Sequence, residues 1–183
     1  SFKKRIIIGI PNCDLTGLQL VDEIYLDKEY PDTVYKQRRD NTILIGTDCH
    51  SIQEHCHCTT YGINPYPDTN HDVLLTINED LVYLKVNSEK GEKLVEKIPG
   101  DYLRKPTETQ LQKILDAREN IRAQLNDKNK DLPDYKETGE LIRNSHNGIW
   151  KKYADTCVSC GACTAICPTC TCFLLIDKTG FEK

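Results

Sequence analysis

The chain begins with a continuous apolar run, Arg5–Ile10, rich in β-branched residues, the pattern of a strand buried on both faces. Gly9, Pro11 and Asn12 close it. Asp14 then occupies the place of a helix N-cap, and Leu15, Leu18, Val21, Ile24 and Tyr25 recur at helical spacing over residues 15–26. Residues 30–40 are polar and charged and predict a connection to a second short strand at 42–46. Residues 73–77 and 81–87 alternate as two antiparallel strands around a turn at Asn78, Glu79 and Asp80. Ser88 is placed to cap a short helix to about residue 98, interrupted by Gly91, and residues 99–106 form a linker. Thr107-Glu108-Thr109-Gln110 fits a capping box. Leu111, Ile114, Leu115, Arg118, Ile121, Arg122 and Leu125 then mark a helical stripe to about residue 126. Residues 126–133 read as a solvated connection and 136–144 as a further helix. Residues 149–156 carry Trp150 and Tyr153, positioned to keep water off whatever the next segment binds.

The 183 residues, 38% of them hydrophobic, suffice for one domain or two small ones. A net charge of −4 argues against nucleic-acid binding through a basic face. No apolar run approaches the ~20 residues that span a bilayer. The basic-then-apolar start is too short in its apolar part for a signal peptide, which needs roughly 7–15 such residues. The ten cysteines change the picture most. They fall in two clumps with metal-ligand spacing, which points to metal in a reducing, cytoplasmic compartment and away from a disulfide scaffold.

The second clump, Cys157-Val158-Ser159-Cys160-Gly161-Ala162-Cys163-Thr164-Ala165-Ile166-Cys167-Pro168, reads C-x2-C-x2-C-x3-C-P, the run that holds cubane clusters in bacterial ferredoxins. Two residues between thiolates let a tight loop wrap one iron after another. Gly161 supplies a position where positive φ costs little, and Pro168 turns the chain away from the cluster. In two-cluster ferredoxins the fourth cysteine, here Cys167, serves the other cluster. No second run follows in this sequence, only Cys170 and Cys172. This gap, together with the absence of methionine, leads us to expect a piece of a longer polypeptide. A local fourth ligand, from Cys167, Cys170 or Cys172, is the alternative.

The first clump is more open. Cys13 and Cys49 each follow a predicted strand, where ligand sites gather in open α/β sheets. Cys56 and Cys58 are two apart and share a side if the chain is extended. Together the four thiols match the complement of an all-cysteine site. Scattered buried cysteines, a structural zinc site drawing on His50, His55 or His57, and an iron–sulfur cluster with irregular spacing are all compatible with the spacing.

Several stretches resemble one family. Ile8-Gly9-Ile10-Pro11-Asn12-Cys13-Asp14-Leu15 resembles the G-x-x-x-C-D element of the iron–sulfur beta subunit of archaeal sulfhydrogenases, shared with the related iron–sulfur subunit of anaerobic sulfite reductase. Tyr35-Lys36-Gln37-Arg38-Arg39 is similar to that family's Y-Y-x-x-R-R stretch. Cys49 and Cys56-His57-Cys58 are similar to its isolated cysteine and C-F-C, with His57 in place of the aromatic. Val86-Asn87-Ser88-Glu89-Lys90-Gly91 is similar to its V-G-S-x-K-G, and Cys167-Pro168-Thr169-Cys170-Thr171-Cys172 to its C-P-T-C-x-C. The resemblance implies 4Fe–4S clusters in a subunit that relays electrons between a flavin- and NAD(P)-binding subunit and a catalytic partner. That partner is a nickel–iron hydrogenase in one case and a sirohaem sulfite reductase in the other.

The expected architecture is α+β. An α/β-like region with a small mixed sheet covers 1–100 and carries the Cys13, Cys49, Cys56 and Cys58 site. A helical connection covers 101–147, and an incomplete bacterial-ferredoxin-like segment covers 148–183 with Cys157, Cys160, Cys163, Cys167, Cys170 and Cys172. The expected function is electron transfer. No Ser/His/Asp set, phosphate-cradling glycine loop or G-x-G-x-x-G supports catalysis within the chain. Two rivals stand beside it: a cluster-bearing reductase whose Cys167 and Cys170 act as a dithiol, and a zinc-stabilised interaction module.

Overall fold

The structure, a computed structural model, describes residues 3–166. Four strands form one mixed sheet in the order β1 (Arg5–Ile10), β2 (Thr42–Thr47), β3 (Val73–Asn78) and β4 (Leu81–Val86). The first three are parallel, and β4 returns antiparallel to β3, with Val73 opposite Val86 and Asn78 opposite Leu81. The helices are α1 (Asn12–Tyr25), α2 (Thr33–Asp40), α3 (Glu89–Val95), α4 (Glu108–Lys128), α5 (Thr138–Arg143), α6 (Asn147–Ala154) and α7 (Ala162–Ile166). Short 3-10 turns cover Cys58–Tyr61, Gly100–Tyr102 and Tyr135–Glu137. The α+β class with a small mixed sheet is the expected one.

The core lies around β2 and β3. Leu15 of α1, Leu44 of β2 and Val73 of β3 are each only 1% exposed, and Ile114, Ile121 and Leu125 of α4 are buried as well. The end of β2 meets α1 closely. A Cβ on Gly46 would fall 2.9 Å from Pro67 Cγ and 3.1 Å from Leu15 Cδ1, so the close approach needs glycine. The capping box forms as the sequence predicts. Thr107 Oγ1 accepts from Gln110 N at 3.3 Å, and Gln110 Oε1 accepts from Thr107 N at 2.9 Å.

Three expectations need correction. The first strand is not buried on both faces. β1 is an edge strand, with Ile6, Ile7 and Ile8 49%, 47% and 66% exposed. A continuous apolar run carries no information about how many neighbours a strand has. Its ladder also slips between Ile8 and Ile10, where Gly9 takes φ +86°. Second, α1 begins two residues before Asp14, with Pro11 as N-cap, so Asp14 and Cys13 both lie in its first turn.

Third, residues 33–40 are helical. Asp32 Oδ1 caps α2, accepting from Val34 N and Tyr35 N at 2.8 Å each. The helix is hard to see because its inner face is polar. Tyr35 and Arg39, four apart and so on one face, both meet Asp22 of α1. Tyr35 Oη donates to Asp22 Oδ1 at 2.6 Å, and Arg39 Nε bonds Asp22 Oδ2 at 3.1 Å. Burial, reinforced by the Asp22 carboxylate, pushes the Tyr35 phenol well above its ordinary pKa, so it stays a donor. Arg39 Nη2 continues to Asn70 Oδ1 at 2.7 Å, and Asn70 Nδ2 to Leu15 O at 3.1 Å.

A buried carboxylate joins β2, β3 and α3. Asp72, 5% exposed, accepts from Leu44 N at 2.8 Å and from the Ser88 hydroxyl. Ser88 Oγ in turn caps α3 by accepting from Gly91 N at 3.1 Å, and Lys90 Nζ lies 3.8 Å from Asp72 Oδ2. Gly91 packs directly on this carboxylate's own backbone. A Cβ there would collide with the Asp72 carbonyl oxygen and fall 2.9 Å from Val73 Cγ2. Ordinarily alanine is about 1 kcal/mol better than glycine in a helix. Here the clash decides the sign, and Gly91→Ala is expected to cost about 1–3 kcal/mol of stability. Urea unfolding of the two proteins measures it; a gain in stability would show that α3 shifts freely.

Candidate metal centre

Three chain segments deliver the first four thiols to one corner of the sheet. Cys13 sits in the first turn of α1. Cys49 follows β2, and its amide donates to Pro65 O at 2.9 Å. Cys56 closes a turn in which its own amide donates to Gln53 O at 3.1 Å while Gln53 N points at Cys56 Sγ at 3.4 Å. Cys58 opens the 3-10 turn that Gly62, at φ +72°, terminates. The chain between Cys56 and Cys58 is therefore not extended. The two thiols come together through a turn followed by a helical turn, not through strand alternation.

The four thiols share one electrostatic environment. Burial raises the Cys49 thiol to about 11, with the charges of Cys13, Cys58, Cys56 and Asp48 adding to the effect. Burial raises Cys13 too, with contributions from Asp14 and Cys58, while the Asp14 and Cys13 amides work the other way. Cys58 is raised by burial and by Cys56, and opposed by the amides of Thr59 and Cys58. So the sulfurs of Cys13 and Cys58 each face backbone N–H groups at the start of a helical turn, which offset part of the burial effect. Cys13 is exposed and the other three are half-buried. Among the described residues no three or more His, Cys, Asp or Glu side chains stand close enough to chelate a single metal ion.

The surroundings hold these segments firmly. Asn12, 3% exposed, donates from Nδ2 to Asn64 O at 3.0 Å, while its Oδ1 is buried without a partner. Thr59 Oγ1, beside Cys58, is likewise buried and unpartnered. Asp48, next to Cys49, receives Arg118 Nε at 2.9 Å, Arg118 Nη2 at 3.1 Å and the Thr76 hydroxyl at 3.0 Å. Arg118 also stacks over Tyr66, 4.8 Å from the ring centre. A cleft of about 270 Å³ opens beside this pair, lined by Asp48, Cys49, His50, Thr76, Arg118 and Ile121 among others. His57, exposed, turns its ring toward Tyr61 at 5.6 Å, and Tyr61 continues to Tyr135 at 5.8 Å.

The second clump is seen only in part. Cys157, Cys160 and Cys163 are all exposed. Gly161 takes the expected positive φ, +71°, and Ser159 joins it at +53°. Ser159 N approaches Cys157 Sγ at 3.4 Å, and Cys163 lies in the first turn of α7. Cys167, Pro168, Cys170 and Cys172 lie outside the described residues. Trp150 and Tyr153, on α6, are 52% and 63% exposed.

Comparison with known proteins settles the family. The chain is 32% identical over 174 residues, 95% of its length, to "Sulfhydrogenase 2 subunit beta" of Pyrococcus furiosus. Over this stretch the chain belongs to the sulfhydrogenase beta-subunit family. The match covers 50% of that relative, so the chain spans about half the length of the curated relative it matches. No family model matches the chain.

The family-like stretches now divide by what they touch. Tyr35–Arg39 and Val86–Gly91 build the Asp22 and Asp72 junctions and contribute no candidate ligand. Ile8–Leu15, Cys49 and Cys56-His57-Cys58 meet at the thiol corner. Sequence reasoning missed four residues around that corner: Asp48, Arg118, Lys128 and Asn129. Arg118 had a visible signal, since a cation inside an apolar helical stripe requires a buried partner. Lys128 and Asn129 fall in the stretch expected to be solvated, yet Asn129 is 9% exposed.

Thiolate, not thiol, reacts with alkylating agents, so the electrostatics are measurable. In the folded, metal-free chain Cys49 should react with iodoacetamide more slowly at pH 8 than in the urea-unfolded chain. Its rate should keep climbing toward pH 11, whereas the unfolded chain levels off near the ordinary 9.0. Identical pH profiles would remove the shared environment.

Proposed function

We propose that the chain is an electron-relay portion of a sulfhydrogenase-type complex, with one 4Fe–4S cluster held by Cys13, Cys49, Cys56 and Cys58. A further cluster is held by Cys157, Cys160 and Cys163 with Cys167 or a neighbour. The single observation that carries this reading is the match to "Sulfhydrogenase 2 subunit beta" over 95% of the chain, and it is supported by four thiols from three separate segments that lie near enough for their charges to be felt at Cys49. The partners are a flavin- and NAD(P)-binding subunit on one side and a nickel–iron hydrogenase subunit on the other. We prefer the hydrogenase to a sirohaem sulfite reductase because the similar protein is a sulfhydrogenase subunit. The thiol corner, within residues 1–100, and the ferredoxin-like segment, 148–183, act as two stations joined by the helical connection 101–147.

The donor set fits a cluster. Such a group, when bound, takes up and releases one electron at a time at a potential set by burial and hydrogen bonds to sulfur. This chain supplies both: three half-buried thiols, and amides facing the Cys13 and Cys58 sulfurs. The buried Thr59 hydroxyl has a donor to offer and no acceptor among the described residues. A single zinc ion would draw four thiolates to about 3.8 Å from one another, given Zn–S bonds of about 2.3 Å. A cubane spreads them wider, one on each iron. Because thiolate is the ligand form, cluster assembly releases protons and is favoured at higher pH.

Replacing Cys56 and Cys58 together by serine should lower iron by about one cubane, roughly four atoms, and leave the Cys157 signal intact. Iron and sulfide analysis with EPR on the anaerobically prepared protein makes the comparison. Unchanged iron and spectra would reduce the quartet to structural cysteines, and stoichiometric zinc without sulfide would overturn the relay.

A further inference from the structure

The turn that carries Cys56 has little structure of its own. Gln53, Glu54 and His55 are exposed, and residues 52–57 contain no helix or strand. Within the turn, Cys56 N donates to Gln53 O and His57 Nδ1 meets His55 O at 2.6 Å. Every described hydrogen bond that reaches residues 52–57 from a distant part of the chain comes from two consecutive residues at the end of α4. Lys128 Nζ donates to Gln53 O and to Glu54 O, each at 2.6 Å. Asn129 Nδ2 donates to Cys56 O at 3.1 Å. Asn129 is itself fixed, buried and bonded through its amide to Leu125 O at 3.0 Å, with Leu125 2% exposed below it. A cation at a helix C-terminus ordinarily serves its own helix's free carbonyls. Lys128 is turned outward to the carbonyls of the ligand turn instead.

This arrangement has two consequences. Four thiolates brought to one corner repel one another, so a ligand turn without regular structure needs an external hold to stay in place. The hold also fixes where the ammonium stands. Although Lys128 is exposed, two short bonds localise its charge at the Gln53 and Glu54 carbonyls, in the turn that leads into Cys56. A cluster that accepts an electron gains one negative charge, and a nearby fixed cation stabilises that reduced form more than the oxidised one.

We propose that Lys128 and Asn129 are positioning residues for the Cys56–Cys58 pair: the end of α4 clamps the ligand turn, and the Lys128 ammonium raises the reduction potential of the cluster held there. The tuning rests on the reading that the quartet binds a cluster; the clamp does not.

The experiment uses the full-length subunit with its clusters. The quartet signal is first identified as the EPR signal lost in the Cys56→Ser, Cys58→Ser variant. Lys128→Gln should retain its iron and shift the midpoint of that signal to lower potential, while Lys128→Arg keeps it near the wild-type value. Asn129→Ala should raise amide hydrogen exchange across residues 53–58 several-fold, with no change in β3 or β4. An unchanged midpoint in Lys128→Gln overturns the tuning, and unchanged exchange in both Asn129→Ala and Lys128→Gln overturns the clamp. If the double cysteine variant loses neither iron nor signal, the cluster assignment is what fails. The tuning then falls with it, and the exchange data alone decide the clamp. Should Asn129→Ala unfold the subunit, Lys128→Gln supplies the same exchange measurement.

Discussion

β2 is gripped at both ends by a buried carboxylate, and the rest of the described fold depends on that grip. Asp72 accepts the Leu44 amide near the strand's beginning, and Asp48 anchors its far end through Arg118 and Thr76. Buried carboxylates are costly unless fully bonded, and both are. Asp72 draws in the α3 cap and the Lys90 ammonium. Asp48 draws in α4 through a two-point guanidinium contact, the geometry that favours arginine over lysine. One strand thereby fixes the position of two helices that the sheet's small apolar area alone would hold loosely.

The second grip has a direct bearing on chemistry, because Cys49 is the next residue. Arg118 fixes the middle of α4 against the end of β2. The same helix, ten residues on, ends at the turn carrying Cys56. One rigid element therefore sets the spacing between thiols that are distant in sequence. Ligands assembled from separate segments are rarely preformed without such support, and metal binding then contributes to folding. Here much of the support is present in the polypeptide itself, in Asn12, Arg118, Lys128 and Asn129.

The edge position of β1 belongs to the same account. The strand ends in a bulge at Gly9 that leads, through Pro11, into the first turn of α1, where Cys13 stands. Its apolar faces add little to the core. The strand positions a thiol and leaves three isoleucines only partly covered by the described residues.

The sequence by itself determined the elements whose signals are local. The C-x2-C-x2-C run, the Gly161 conformation, the Thr107–Gln110 box, the Ser88 cap and the β3–β4 hairpin all follow from residues a few positions apart, so they are legible. The four candidate thiols are legible too, because cysteine is rare and its clustering conspicuous. What only the tertiary structure decided are the pairings across long separations. An apolar run does not say how many strands flank it, which is why β1 reads as a central strand. A helix that faces a carboxylate instead of a core shows no apolar stripe, which is why α2 reads as a connection. Lys128 and Asn129 read as solvated because their partners are backbone carbonyls more than seventy residues away, and a carbonyl leaves no mark in the sequence.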